Sequence, residues 1–229
     1  MKTFLWLLIL SMLVVPNKFL EAAVTMTGAY PVEEGFSLGV SHAIEARDAP
    51  FFFGHKLKLS QADYGLLINY KRPAGMQYSL SLYRSASHTK DLKASQPGLG
   101  ASLNLASYLS GDGILSLIWK WHLNLSGGQS KFNLYKDNIT NIKHSYLISQ
   151  AGLSTTSFIG VFSFTAGILF THAIDRYFEN ISGTSERNSA NYFIPFTSIA
   201  MRFSDSVSIA LSGCLGRIES FKSSFQIAF

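Results

Sequence analysis

Lys120, His122 and Asn124 stand at every second position of the stretch WKWHLNL, a spacing that puts all three side chains on one face of an extended strand. A histidine so placed acts as a general base once a serine or carboxylate comes within hydrogen-bond reach. Glu45, Arg202, Lys222 and Gln226 fall on the equivalent polar phase of other segments. Together these seven residues carry two readings. Facing a narrow aqueous space, the cations Lys120, Arg202 and Lys222 would favour anionic solutes, because charge of one sign in a confined space focuses the field. Alternatively, Glu45 pairs with one or two of the cations and the set becomes a polar network that fills an interior. The remaining histidines add little chemistry. His42 and His172 lie on the apolar phase of their segments, and His55, His88 and His144 read as loop or strand-end residues. The sequence presents no glycine-rich phosphate loop and no metal-spaced His/Cys cluster, so neither a cofactor nor a metal is expected.

The elements that must position these residues are strands, since period 2 dominates the chain. Phe36, Leu38, Val40 and Ile44 alternate with Ser37, Gly39, Ser41, Ala43 and Glu45. Tyr64, Leu66, Ile68 and Tyr70 form the next apolar face, KRPAG turns the chain, and Met76, Tyr78, Leu80 and Leu82 continue. The pattern returns around Leu99 to Leu109, around Leu115 to Leu125 and in the set Phe158, Phe162, Phe164, Ala166, Ile168 and Phe170. It returns again at Val207 to Leu215. Ten strands are expected, with eight or twelve as the neighbouring alternatives. Their connections alternate in length. KRPAG, SGDG, STTS and SDS are short, whereas residues 47–56, 87–97, 126–142 and 172–191 read as long polar loops. Phe51, Phe52 and Phe53 run consecutively in the first of these. One strand face cannot bury all three, so they either pack on a loop neighbour or meet a partner.

The composition limits the class. Apolar residues make up 47% of the 229-residue chain and charged residues 14%. Beyond Val15, however, no apolar run approaches the ~20 residues of a spanning helix. The single cysteine, Cys214, excludes a disulfide-stapled secreted module. The net charge of +5 comes with no cluster of the kind that grips nucleic acid, which is dropped as a partner. The start of the chain supplies an address. Met1 and Lys2 precede an apolar run from Phe4 to Val15, Pro16 ends it, and small residues follow at Ala22 and Ala23. Residues 1–22 read as a cleaved signal peptide, 23–35 as a periplasmic N-terminal segment and 36–229 as one domain.

The final strand, SSFQIAF, places Phe221, Phe225, Ile227 and Phe229 on one side and ends on a bare aromatic. It resembles the C-terminal signal of Gram-negative outer-membrane β-barrel proteins, and the repeated hairpins extend the resemblance from about Phe36 to the end. The resemblance implies a closed antiparallel transmembrane barrel, an assembly signal carried by Phe221, Phe225, Ile227 and Phe229, and a barrel-assembly machinery that reads it. Outer-membrane lipid is the surrounding partner, and Trp119, Trp121, Tyr64, Tyr70 and Tyr78 suit its two interfaces. A soluble sandwich would place Lys and Glu on its second face, but here that face is mostly Ser, Gly, Ala, Thr and Asn. The triplets at Asn138 and Asn180 match a glycosylation acceptor only by accident in such an organism.

Three functions compete for this architecture. The first is a small porin-like passive channel with slight anion preference, lined by Glu45, Lys120, His122, Asn124, Arg202, Lys222 and Gln226. The second is a surface structural or adhesive barrel that binds partners through its long loops. The third is a membrane-embedded hydrolase, for which the sequence offers neither the paired aspartates with an Asp and His pairing of outer-membrane proteases nor the compact His and Ser motif of a lipid A deacylase.

Overall fold

The computed structural model describes residues 35–50, 56–72, 76–88, 92–96, 98–110, 118–134, 142–179, 183, 185–214 and 218–229. Eleven strands form one antiparallel sheet: β1 Gly35–Pro50, β2 Lys56–Lys71, β3 Gln77–His88, β4 Leu92–Gln96, β5 Gly98–Ser110, β6 Ile118–Leu134, β7 Ile142–Ile159, β8 Phe162–Glu179, β9 Ser185–Arg202, β10 Val207–Cys214 and β11 Ile218–Ala228. Ten of them close a ring. Each strand from β5 to β11 pairs with the next, β1 to β3 and β5 do the same, and β11 pairs with β1 from Ala228 opposite Ser37 to Ile218 opposite Arg47. The fold is therefore a closed ten-stranded antiparallel β-barrel of the transmembrane type. Closure leaves no sheet edge to be satisfied by solvent, the condition a strand must meet in lipid.

The eleventh strand, β4, is an upstream continuation of β5. Gln96 faces Lys131 and Gly100 faces Gly128, so four residue steps on one side match three on the other. This is the count of a β-bulge.

Alternation is realised as expected over the middle of the strands. Phe36, Leu38 and Val40 on β1, Tyr64 and Leu66 on β2, Leu80 and Leu82 on β3, and Phe162 to Phe170 on β8 are exposed on the outside. Ser37, Asn69, Ser79, Ser81, Ser102 and Asn104 point inward and are buried. Phe36 packs on Tyr70 with ring centroids 4.6 Å apart, and Tyr70 on Tyr78 at 6.4 Å, an aromatic row of the kind found where a barrel meets the lipid interface. Both chain ends of the barrel lie at this end. The Phe229 N–H donates to the Phe36 carbonyl at 2.9 Å, and the Ala228 N–H to that of Ser206, in the short β9–β10 turn, at 2.7 Å.

Two expectations are corrected. The β7–β8 turn is not STTS: β7 runs on to Ile159 and the chain reverses at Gly160 and Val161, with Ile159 opposite Phe162. Gly160 has a φ of 60°, which the first position of a two-residue hairpin loop demands and glycine supplies without strain. Phe158 accordingly belongs to β7, not to β8. The long polar loops are also shorter than read. Residues 126–134 and 172–179 are strand, as are 185–191 and 47–50. Ladder hydrogen bonds need only paired backbone, so polar residues on both faces do not stop a strand that has already been set in register. Phe51, Phe52 and Phe53 lie outside the described residues, as do residues 1–34.

Candidate functional site

The interior is built in rows, because residues directly opposite one another in successive ladders share a level. Near the short-turn end, Asn69 donates from its amide to Ser37 Oγ at 3.1 Å and to Gln226 Oε1 at 3.0 Å, bridging β2, β1 and β11 across the closing seam. Lys222 sits opposite Ala43, and Asp63 sits opposite Ala43 on the other side. The small alanine leaves Asp63 as the charged neighbour of Lys222. On the far wall, Asn124 donates to Gln150 at 2.8 Å and Gln150 to Thr171 at 3.1 Å, a chain over β6, β7 and β8.

Of the seven residues proposed for the interior, Lys120, His122, Asn124, Lys222 and Gln226 are inward and buried. Arg202 is not among them. It is half-buried at the rim beside the β9–β10 turn, 3.8 Å from Asp205. Glu45 occupies an inward position of β1, opposite Ser220 and Gln61, and its side chain lies outside what is described. The sequence reading missed Asp63, Lys71, His144 and Asp175. Lys71 is the charged neighbour of Lys120, so the inward cations at this end are Lys71, Lys120 and Lys222, not the trio that included Arg202.

His144 is the largest correction. Far from being a strand-end residue, it is 1% exposed on the inward face of β7, with Nε2 2.8 Å from Asp175 Oδ1 and its ring stacked on Tyr177 at 4.7 Å. The signal that could have revealed it was period 2: His144, Tyr146, Ile148 and Gln150 alternate in register with Asp175 and Tyr177. Sequence alone lacks that register. A second histidine pair lies lower down, where His122 Nε2 is 2.6 Å from Ser154 Oγ and its ring meets the Phe196 ring edge-on. Ser130, level with His144, is eight residues along β6 from His122, or roughly 26 Å at ~3.3 Å per residue. The Asp and His pair and the His and Ser pair therefore cannot join into one Ser, His, Asp constellation. Among the described residues, no carboxylate hydrogen-bonds His122.

Apolar side chains also enter the interior, which the sequence did not lead one to expect: Tyr146 and Ile148 stand between the two histidine levels beside the polar row of Asn124, Gln150 and Thr171, while Leu169 and Ile194 share the row of His122 and Phe196 that of Lys120. Tyr83 on β3 and Tyr146 on β7 reach across two intervening strands until their hydroxyls meet at 3.0 Å. Gly100 and Gly128 stand in the row between them, and a Cβ at either would strike one of the two rings. Tyr83, Tyr146, Ile148 and Ala173 form one buried cluster, and Leu169, Ile194, Phe196 and Cys214 form another. Tyr192 packs against both. The belt extends from β3 through β7, β8 and β9 to β10, so that inward groups cover each other: Tyr177 and Thr171 are 0% exposed and Gln226 1%. Side chains can fill a barrel of about this size.

No protein-family model matches the sequence, and no curated protein matches it. Solved structures with a similar fold include the outer-membrane protease OmpT from Escherichia coli, at 10% identity, covering 90% of this chain and 100% of that one with a TM-score of 0.48. The translocator domain of the autotransporter NalP from Neisseria meningitidis matches at 8% identity over 86% and 90% of the two chains, TM-score 0.48. An outer-membrane channel from Pseudomonas putida F1 matches at 12% identity over 94% and 100%, TM-score 0.45.

Proposed function

We propose that the protein is an integral β-barrel of a Gram-negative outer membrane that works with a closed interior and acts through its outer surface and its projecting hairpins. The membrane placement is supported by the continuous apolar exterior, the aromatic row at Phe36, Tyr70 and Tyr78, and the outward Phe225, Ile227 and Phe229 of the terminal strand. The observation that carries the closed reading is the belt of Tyr83, Tyr146, Tyr192, Leu169, Ile194 and Phe196 across the interior. A lumen open to water would leave its lining wetted, whereas the inward polar groups here are buried against one another. Structural or partner-binding roles at the loop end follow from this more directly than solute passage.

A porin-like channel is the second reading, favoured by the inward Lys71, Lys120 and Lys222. Conductance in a planar bilayer separates the two. The refolded mature chain is expected to be silent, and Tyr83→Ser with Tyr146→Ser is expected to introduce current by removing the two rings that meet across the interior. Stable anion-selective steps from the unsubstituted protein, reduced by Lys120→Gln, would establish the channel instead.

A further inference from the structure

Beyond the apolar band, the outward faces of β6 to β9 carry a concentration of cations. Lys131 lies directly opposite Lys143 on β6 and β7, and Arg176 directly opposite Arg187 on β8 and β9. All four are exposed, and no ion pair holds any of them among the described residues. Asp175 and Glu186 on these strands fall on the inward phase. Like charges directly across an antiparallel pair repel, and here two such pairs adjoin: Lys143 faces Phe178, next to the row in which Ser145 faces Arg176. With strands ~4.8 Å apart, the four cations fit within a patch about 15 Å wide. Loop-side stretches of four consecutive strands that carry these four cations outward, with Asp175 and Glu186 on the inward phase, present a site for an anion that arrives from outside the barrel.

The shape of the wall says more about that anion. Lys131, Lys143 and Arg176 line a groove of about 1220 Å³ together with Leu99, Gly127 and Phe178. Towards the membrane on the same strands, Leu103, Leu105, Leu123, Leu125 and Phe170 border a second, apolar slot of about 380 Å³ over the small residues Ser149 and Ala151. Leu125 is six residues from Lys131 on β6, or roughly 20 Å. A charged cradle above an apolar slot fits an amphiphile with its headgroup at the interface and a chain in the hydrocarbon.

We propose that this face binds a membrane lipid with a phosphomonoester headgroup, its phosphate held by Lys131, Lys143, Arg176 and Arg187 and an acyl chain lying in the slot at Ser149 and Ala151. Arginine and lysine grip phosphate oxygens by charge-assisted hydrogen bonds, and the lipid anion relieves the repulsion between the opposed cations. The site rests on the reading of the protein as a membrane barrel, and the test keeps the two apart. The refolded mature chain in detergent is first checked for heat-modifiable migration, which reports the barrel alone. Native mass spectrometry then measures its binding to bisphosphorylated lipid A, to the same lipid without its phosphates and to inorganic phosphate.

The expected result is a one-lipid complex with the phosphorylated form that weakens at least about tenfold in Lys131→Gln/Lys143→Gln/Arg176→Gln, as the loss of charged hydrogen bonds predicts. Arg72→Gln, at the opposite end of the barrel, should leave binding unchanged. Equal binding of the dephosphorylated lipid would overturn the proposal, as would equal loss in Arg72→Gln. Displacement of the lipid by an equal concentration of inorganic phosphate would show a free-anion site and overturn it as well. A triple variant that keeps its heat-modifiable migration and its affinity would refute the phosphate cradle while leaving the barrel intact.

Discussion

Along β8 the outward residues from Phe162 to Phe170 are apolar at every second position, whereas from His172 to Phe178 they read His, Ile, Arg and Phe. Both stretches belong to one continuous strand, paired without interruption to β7 and β9. The difference shows that backbone pairing sets where a strand ends, while the solvent around it sets what its outer face may be. In the turn-side half the outside is lipid, so the alternation is strict. In the loop-side half the outside is interface and water, so cations are allowed and apolar labels fade.

Ile168→Arg breaks the turn-side half. A guanidinium in the middle of the lipid-facing band should cost about 2–4 kcal/mol, measured by urea unfolding of the barrel refolded into thin lipid vesicles. Asp175→Asn tests the loop-side interior, where the carboxylate holds buried His144. Losing that charged acceptor should cost about 1–3 kcal/mol in the same unfolding measurement, without changing the strand content seen by circular dichroism. The smallest effect belongs to Ser189→Arg, an outward position of the loop-side half opposite Ile174. It should change stability by about 0–1 kcal/mol, since cationic substitutions lose their penalty towards the interface. If it cost as much as Ile168→Arg, the apolar band would have to extend well past His172.

The same contrast explains what could be read in the sequence. The ten barrel strands, their order and the inward placement of Lys120, His122, Asn124, Lys222 and Gln226 followed from period 2, because the lipid-facing half writes apolar residues at every second site. The extensions at 126–134 and 172–179 did not follow, since Ser126, Gln129, Ser130 and Lys131 look alike whether they face in, out or along a loop. Treating residues 126–142 and 172–191 as loops also hid the phase of Lys131, Arg176 and Arg187, whose clustering with Lys143 appears only once strands are paired. His144 was lost for the same reason. Tyr83, Tyr146, Tyr192 and Phe196 were legible as aromatics, but an aromatic on the inward phase of a barrel reads from sequence as an exception, and only the glycines beside three of them, Gly100 at Tyr83, Gly128 at Tyr146 and Gly167 at Phe196, explain how they fit. Arg202 was placed inward by alternation, yet it stands one residue from the bend at Phe203, where the strand geometry that licensed the inference ends.

The seam between β1 and β11 sets this chain apart from an open sheet in a further respect. Every other barrel pairing joins neighbours in sequence, with only β4 intervening between β3 and β5, whereas Ser37 must find Ala228 across nearly the whole domain. Nine hairpin pairings can therefore zip locally, at little loop-closure entropy each, while the tenth waits for the last residues of the chain to be delivered. Until then two strands expose unsatisfied edges. The ring itself has no preferred beginning: a chain opened at the Gly160–Val161 turn, with the present ends joined where Phe229 already bonds Phe36, would have the same ladders to form and a different pair to close last.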